Sequence, residues 1–598
     1  MTRLFIVGDE NNARKALRLS ASSDIILMLD GAEALRDDAR NAKVCDDYID
    51  KSFHSKSRKE ALDAVRRWGN AKLGGEKLRD AMNIDGFPFW DFIESNLATT
   101  LSEITKKIQY MMIVKEAVSD TKPGTMSFAY DGSPLSEVCA CVAKSFGIKT
   151  MKLSGGKNRA KARRRAEEVF YRMAFRSRRI SRRKASSKPD LPGGRIMVYP
   201  SIQTMIPVIE PVFRKLGEDA FMLKYDMLKN RMSTDMERRE LMHYDIESWW
   251  TDDMDRRSKS IKKRLRGVWR KMMSDKAFQS SLEYRGICMW DALEPELAFY
   301  LSTRFRLMEI AEYSLEMERI IEDTNPRLVI ALDEFSETGL PLAFLARRSG
   351  IPLLILQHGF FGEGSFIYGP SLATKKAVWG PAIKRMLLKR RFTESQLVVT
   401  GCPKFDDMPK KASRNPPKRL YDELGLSPGE RIVTLATQPN EYMPEVARMV
   451  FDALSGTKER LLLKLHPREM DSTFYSRTAR DYGIDPVITR TADLYDVIGM
   501  SSAVMVMFST VGLEVLMMGK PLIIINKTGR PLETPIAESG APVVRNSDGL
   551  SKALRLVGEK SFMQTFEKKR KSFVRDQAYK MDGKATERVL KLIRNMTS

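Results

Sequence analysis

The chain has 598 residues, of which 43% are apolar and 30% charged, with a formal net charge of +24. That length holds two or three domains, each able to bury its own core, and no apolar run reaches the roughly 18 residues needed to cross a membrane. The charge calls for an anionic partner: nucleic acid, a phosphorylated substrate or a membrane surface. The opening MTRLFIVGDE reads as a strand with an early charge rather than a secretory signal. Five scattered cysteines (Cys45, Cys139, Cys141, Cys288, Cys402) show no metal spacing and fit a reducing cytoplasm.

In chain order, Arg3–Val7 predicts a first strand, 13–19 a helix and 24–29 a second strand. Residues 60–68 and 77–81 read as helical, and a long amphipathic helix is expected from Phe87-Pro88-Phe89-Trp90 to about Val118. A strand at 126–130, a helix at 135–146 and a strand at 148–153 complete an α/β region over 1–155. Asp131-Gly132-Ser133 at a strand end has the composition of a turn. Residues 157–188 then carry fourteen Lys and Arg against Glu167 and Glu168, half of the whole excess charge. With Val169, Phe170, Met173 and Phe175 interleaved, this stretch suits an anionic membrane surface. The same charges would serve nucleic acid, or a solvated linker helix; a second basic run, 256–271, has the same readings. The Ser, Pro and Gly of 186–194 mark a linker, so 156–194 separates 1–155 from a new α/β domain over 195–370. There, 206–216 reads as a helix, 220–224 as a strand, 229–276 as charged helix and 295–321 as another long helix. His243 reads as a surface residue. Asp252-Asp253-Met254-Asp255 contains a D-x-D pattern, but no strand delivers it, and no metal site is assigned.

A buried strand at 327–332 delivers Asp333-Glu334, and after a return helix at 340–348 a strand at 352–356 delivers Gln357-His358-Gly359. Ligands in parallel sheets sit at such carboxyl ends, and neighbouring tips lie about 5 Å apart, so Asp333 and His358 are expected to approach one another. The last domain, 371–598, contains a strand ending in Thr400-Gly401-Cys402-Pro403-Lys404, and another, 431–436, ending in Thr437-Gln438-Pro439. Its centre is 461–526. A strand at 461–465 delivers His466-Pro467, and proline forces a turn. A helix at 492–500 and a strand at 503–508 follow, then a turn at 509–512, a helix from 513 to 518 and a strand at 522–525. Ser509 and Thr510 would meet a phosphate at a helix N-terminus, or simply cap that helix. Glu514, one turn on, suits ribose hydroxyls, and His466 suits the charge of a departing phosphate.

LKLHPRE followed by SSAVMVMFSTVGLEVLMMGKPLI resembles the C-terminal half of GT-B type glycosyltransferases. The pattern is most similar to capsule-polysaccharide and CDP-glycerol-type transferases, polysialyltransferases and the UDP-N-acetylglucosamine 2-epimerase group. The resemblance implies an α/β, GT-B type fold: two Rossmann-like domains facing across a cleft, plus the N-terminal α/β region. It implies that His466-Pro467 and Ser509-Thr510 hold a nucleotide diphosphate, that Glu514 holds the ribose and that Gln438 opens the wall of that site. It also matches the Gln-His-Gly at 357–359 with an acid one unit earlier, and Asp406, for which no role is assigned. The epimerases usually show a Gly pair where this chain has Ser509-Thr510, which favours transfer.

The expected activity is therefore metal-independent transfer from a nucleotide-activated donor to a glycan or lipid-linked acceptor, building a surface or capsular polysaccharide. No cofactor beyond the donor is expected. His358, by its titration range, leads Asp333 and Glu334 as general base, and single displacement would invert the anomeric centre. A sugar-nucleotide epimerase and a basic nucleic-acid-binding protein are the alternatives; no nucleic-acid module is visible. The expected location is cytoplasmic, peripheral on the membrane through 157–188.

Overall fold

The computed structural model describes residues 2–598 except 39–40, 51–52, 99–102, 155–165, 167–168, 170–172, 174–181, 183–187, 226–231, 302–305, 363–370, 391, 441, 470, 508, 528–531 and 533. Most of the basic stretch 157–188 therefore lies outside the described residues. The chain divides into two compact units: Met1–Gln203 with Phe221–Arg327 and Asp333–Ile351, and Thr204–Ala220 with Leu328–Leu332 and Pro352–Ser598.

In the first unit, β1 (Arg3–Val7), β2 (Ile25–Met28) and β3 (Ala42–Val44) are followed by two hairpins, β4 (Lys72–Leu73) with β5 (Glu76–Lys77) and β6 (Asn83–Ile84) with β7 (Phe87–Pro88). With β8 (Thr125–Ala129) and β9 (Lys149–Ser154) they give a parallel sheet of order β3-β2-β1-β8-β9. Leu4, Phe5, Ile6 and Val7 are all buried, the continuous apolar run of a strand covered on both faces. Helix Pro134–Phe146 shows why the sequence starts and stops it there. Ser133 accepts the Ser136 N–H, proline takes the first helical position, and Gly147 ends it at φ 64°. β10 (Ile196–Tyr199), β11 (Ala220–Lys224) and β12 (His243–Asp245) are successive neighbours, with β11 and β12 parallel, and β13 (Glu283–Tyr284) pairs with β14 (Ile287–Cys288) as a hairpin.

Three helical expectations are corrected here. Residues 229–276 include β12 and break into Met232–Arg238 and Asp252–Ser274. His243 lies in that strand, half-buried, with its Nδ1–H donated to the Leu241 carbonyl at 2.8 Å. The expected long helices become Phe89–Leu97 with Glu103–Thr121, and Trp290–Leu301 with Arg306–Thr324. Arg182 belongs to the fourteen basic residues, yet it is buried against Glu312 (2.5 Å) and Glu316 (2.9 Å), with its guanidinium 3.4 Å over the Trp250 ring. The D-x-D aspartates occupy the first turn of Asp252–Ser274, where Asp255 accepts the Trp250 Nε1–H and Asp253 pairs with Arg256.

The second unit contains a parallel run β15 (Leu328–Ala331), β16 (Leu353–Leu356), β17 (Lys375–Val378) and β18 (Leu397–Val399). Its other sheet has order β21-β20-β19-β22-β23-β24, from β19 (Ile432–Ala436), β20 (Arg460–Lys464), β21 (Val487–Thr489), β22 (Ala503–Val506), β23 (Leu522–Ile525) and β24 (Val543–Val544). Val433, Leu435, Leu463, Met505 and Ile523 share one packed face with helices Met443–Leu454 and Ser547–Leu556, while Ile432 and Leu462 pack with Val497 and Met500 on the other. The closing helix Ala585–Thr597 lies against Ile206–Leu216, a segment from the N-terminal half of the chain. Its first amides, Ala585 and Thr586 N–H, are held by the Asp406 carboxylate at 2.7 and 2.8 Å. Asp406 is therefore a helix-capping residue reaching far along the chain.

Lys107 is fully buried. Its ammonium meets Glu137 (2.7 Å), Glu296 (3.1 Å) and the Ala292 carbonyl (2.6 Å). Lys107→Ala strands two carboxylates and is expected to cost about 3–5 kcal/mol, read as a lower urea midpoint.

Candidate functional site

In the six-stranded sheet, chain order runs outward from β19 through β20 to β21 on one side, and from β22 through β23 to β24 on the other. The direction of winding reverses between β19 and β22. Beyond the carboxyl ends of strands at such a point lies the crevice where parallel sheets bind ligands. Thr437-Gln438 leave β19, Leu465-His466 leave β20, and Ser509 follows β22. The structure thus brings His466, Gln438, Ser509 and Thr510 to three neighbouring strand ends.

His466-Pro467-Arg468-Glu469 is a tight turn closed by the Glu469 N–H on the His466 carbonyl at 2.9 Å, with proline at the second position, where its fixed φ suits a turn. The turn returns the Glu469 carboxylate onto its own start. There it accepts the His466 N–H (3.0 Å), the Tyr475 hydroxyl (2.6 Å) and the Thr437 hydroxyl. Thr437 Oγ1 in turn accepts the His466 N–H at 3.0 Å. In the ring, Nδ1 accepts the Arg468 N–H at 3.1 Å. A nitrogen that accepts carries no proton, so in the neutral imidazole the proton sits on Nε2. Burial, then the nearby Arg468 and Lys464 charges, lower the His466 pKa, against the opposing pull of Glu469. The ring is a neutral N–H donor in a positive setting.

Ser509 accepts the Val511 N–H at 3.2 Å and caps helix Thr510–Met517. The expected turn over 509–512 is therefore the cap and first turn of that helix, with Gly512 already buried in it. Glu514 is 1% exposed. One oxygen meets the Lys404 ammonium at 2.5 Å, and the other, Oε2, has no hydrogen-bond partner among the described residues. A buried acceptor left unmade costs about 1–3 kcal/mol. Burial and the Glu514 charge push the Tyr495 phenol up, and burial pushes the Cys402 thiol up to about 12, so Cys402 is inert.

His358 follows β16. Its Nδ1 lies 2.5 Å from the Leu332 carbonyl oxygen, which only accepts, so Nδ1 carries a proton and in the neutral imidazole Nε2 carries the lone pair. Phe361 packs edge-on against the ring. The preceding Gln357 is buried and bonds Trp379 N–H and the Gly359 carbonyl, both at 2.8 Å, fixing the loop that carries His358. Asp333 and Glu334 belong to the first unit, where Asp333 accepts the Phe335 and Ser336 N–H groups (2.9 and 3.1 Å) and Glu334 is buried. Gly339 is required there, because a Cβ would stand 2.6 Å from the Asp333 carbonyl oxygen.

Parallel, Rossmann-like α/β sheets thus carry histidine and hydroxyl groups at neighbouring strand ends, with a buried carboxylate one turn into the next helix. Residues 381–595 match the family model described as CDP-Glycerol:Poly(glycerophosphate) glycerophosphotransferase. No curated protein sequence matches the chain. Among solved structures it is similar to a putative UDP-N-acetylglucosamine 2-epimerase from Listeria monocytogenes (15% identity, 67% of this chain and 96% of that one, TM-score 0.43). It is also similar to UDP-GlcNAc 2-epimerase from Neisseria meningitidis bound to UDP-GlcNAc (11%, 67% and 100%, 0.43) and to a glycosyltransferase from Rickettsia africae (12%, 68% and 98%, 0.42). At these identities and TM-scores none of them assigns a reaction.

Sequence reasoning missed Glu469, Lys404 and Tyr495. For Glu469 the signal was present: an acid three residues after a histidine, with proline opening the turn. Nothing local in the sequence joins Lys404 to Glu514.

Two outcomes follow for His466. By NMR its titration midpoint is expected below the ordinary histidine value, lower still in Glu469→Gln and higher in Arg468→Ala. Because the folded ring binds a proton less readily than the unfolded one, its contribution to stability is whole above about pH 6.5. It is lost as pH falls through the lowered folded value. Stability should decline on acidification below pH 6.5, with a shallower slope in His466→Asn.

Proposed function

We propose that this chain transfers a nucleotide-activated sugar or polyol-phosphate group to an acceptor hydroxyl, extending a surface polymer. The donor's diphosphate binds at His466 Nε2–H, Ser509, Thr510 and the N-terminus of helix Thr510–Met517, with Pro467 setting the turn. Glu514 takes the ribose hydroxyls through its unpartnered oxygen, with Gln438 at the wall. His358 accepts the acceptor's proton at Nε2. The acceptor oxygen bonds to the anomeric carbon as the nucleoside diphosphate leaves, or to phosphorus as the nucleoside monophosphate leaves. The leaving charge meets donors already in place, so this reading calls on no metal. Asp333 shapes its own turn and, with Glu334, is the alternative base. The observation that carries the proposal is the opposite hydrogen bonding of Nδ1 in the two rings: it accepts in His466, so the neutral ring offers Nε2–H to an anion, and it donates in His358, so the neutral ring offers the Nε2 lone pair to a hydroxyl. The basic stretch 157–188 would hold the enzyme at an anionic membrane; its sequence charge is the support, and no helix among the described residues is long and apolar enough to cross one.

The test is a thermal-shift panel of UDP, CDP, CMP, GDP, their sugar forms and CDP-glycerol on wild type and His466→Ala. A ligand at a hundred times its Kd stabilises by about 2.7 kcal/mol. The expected result is a shift with one base that His466→Ala abolishes, followed by acceptor-dependent nucleotide release. Conversion of a sugar nucleotide without acceptor, or no shift with any nucleotide, would overturn the reading.

A bound anion also favours the charged ring. Affinity for a nucleotide-diphosphate ester, whose phosphates stay ionised, should therefore rise from pH 8 to pH 6 in wild type and stay flat in His466→Asn, measured by calorimetry.

A further inference from the structure

Two stretches of the chain repeat one another. Hairpin β6–β7 turns at Asp85-Gly86 (φ 58° and 78°), and β13–β14 at Arg285-Gly286 (φ 51° and 78°). Each leads through a single residue into Trp-Asp, at 90–91 and 290–291, and each is closed by the same bond, Phe89 N–H to the Met82 carbonyl and Met289 N–H to the Leu282 carbonyl. Helices Glu103–Thr121 and Arg306–Thr324 both stop at a left-handed residue before proline, Lys122-Pro123 and Asn325-Pro326 (φ 42° and 36°). Helices Pro134–Phe146 and Gly339–Arg348 both end toward a left-handed glycine followed by isoleucine, Gly147-Ile148 and Gly350-Ile351. Between helix and strand, Asp131 and Asp333 each hold the amide two residues on, at 3.0 and 2.9 Å.

Chance does not explain this set. Non-glycine residues with positive φ are uncommon; among the described residues there are eight, and four of them fall into these two pairs. The strands follow the same plan: β1, β2 and β3 lie successively outward, as do β10, β11 and β12, and β8 neighbours β9 as β15 neighbours β16. In sequence, counting on from Ile148 and Ile351, Ser154-Gly155-Gly156 aligns with Gln357-His358-Gly359; Gly155 and Gly156 lie outside the described residues. Buried Leu332 is matched by Tyr130, 42% exposed.

We infer that residues 2–154 and 195–359 are two copies of one unit, that the first copy has lost the histidine and moves no proton, and that its strand ends bind the acceptor glycan. The glycan part rests on the transfer reading above; the duplication does not. The Tyr130 ring lies flat on the buried Phe128 at the strand end (4.8 Å, 9° between planes). Tyr130 N–H bonds the Ser154 carbonyl, and the Ser154 hydroxyl bonds Asn12, which bonds Asp9. An exposed aromatic ring at the end of β8, with the Asp9 carboxylate, Asn12 amide and Ser154 hydroxyl at the ends of neighbouring β1 and β9, matches a saccharide, whose C–H face stacks while its hydroxyls find polar partners. The exchange of Leu332 for an exposed Tyr130 and of His358 for Gly155 replaces a reacting end with a holding one.

The experiment uses the full chain on an array of bacterial surface polysaccharides and glycerol-phosphate polymers, beside the nucleotide thermal shift. Wild type is expected to be retained on at least one polymer, and Tyr130→Ala to lose at least tenfold in retention while keeping its melting temperature and nucleotide shift. Equal retention by Tyr130→Ala, or no retention of wild type on any polymer, overturns glycan binding. A missing nucleotide shift with glycan retention intact instead sinks the transfer reading alone. His358→Ala should abolish acceptor-dependent nucleotide release; release above a tenth of wild type that persists when Asp333→Asn and Glu334→Gln are added would overturn the inert first copy.

Discussion

The candidate site depends on one carboxylate. Glu469 takes three donors at once, from the end of β19, from the backbone at the end of β20 and from helix Thr473–Arg480. Away from bulk water such bonds reinforce one another, and an unpaired member is correspondingly costly. Because the acid arrives by way of the Pro467 turn, the same four residues that hold the strand end also set the ring of His466. Position and protonation are thus fixed together, before any ligand arrives, and this is the condition under which fixed dipoles stabilise developing charge.

The second unit also binds distant parts of the chain through charge placed at helix ends. Asp406 holds the amides that open the closing helix, and Arg588 from that helix reaches back to the Thr400 carbonyl at 2.7 Å. Gly401 sits between them at φ 81°, where a Cβ would stand 3.1 Å from Ala585. The Thr400–Lys404 segment therefore does two things: its backbone seats the last helix, and Lys404 carries charge to Glu514. A family match beginning at 381 and ending at 595 spans both ends of this clasp.

Much of this was legible in the sequence. Parallel strands announce themselves as short apolar runs, and β23 falls on the expected residues because nothing at its ends competes with the pattern. His466, Ser509 and Glu514 were singled out because ligand chemistry at strand ends uses few residue types, and the structure carries His466 and Ser509 to neighbouring strand ends with Glu514 buried in the next helix. What escaped was non-local. Lys404 and Glu514 lie 110 residues apart, and no periodicity links them. The charged stretch 229–276 hid β12, because a three-residue strand on a partly exposed edge needs no apolar run. Arg182 looked like one more cation in a basic run, and only the fold supplies the two glutamates and the tryptophan that bury it.

The repeat escaped for a related reason: its two copies agree in backbone more than in side chain. Duplicated units diverge first where packing does not constrain them. A left-handed residue before proline, a left-handed glycine closing a helix and an aspartate folded onto its own turn are backbone requirements, and substitution there strains the chain. His358, beyond β16, has no left-handed backbone to preserve, and there the two copies differ in sequence, Gly155 against His358. Asp131 and Asp333, by contrast, remained alike, which argues that the aspartate serves the turn in both copies and that the chemistry resides in the histidine. A proton-accepting role for Asp333 would predict its loss from the copy without the histidine, and it was kept.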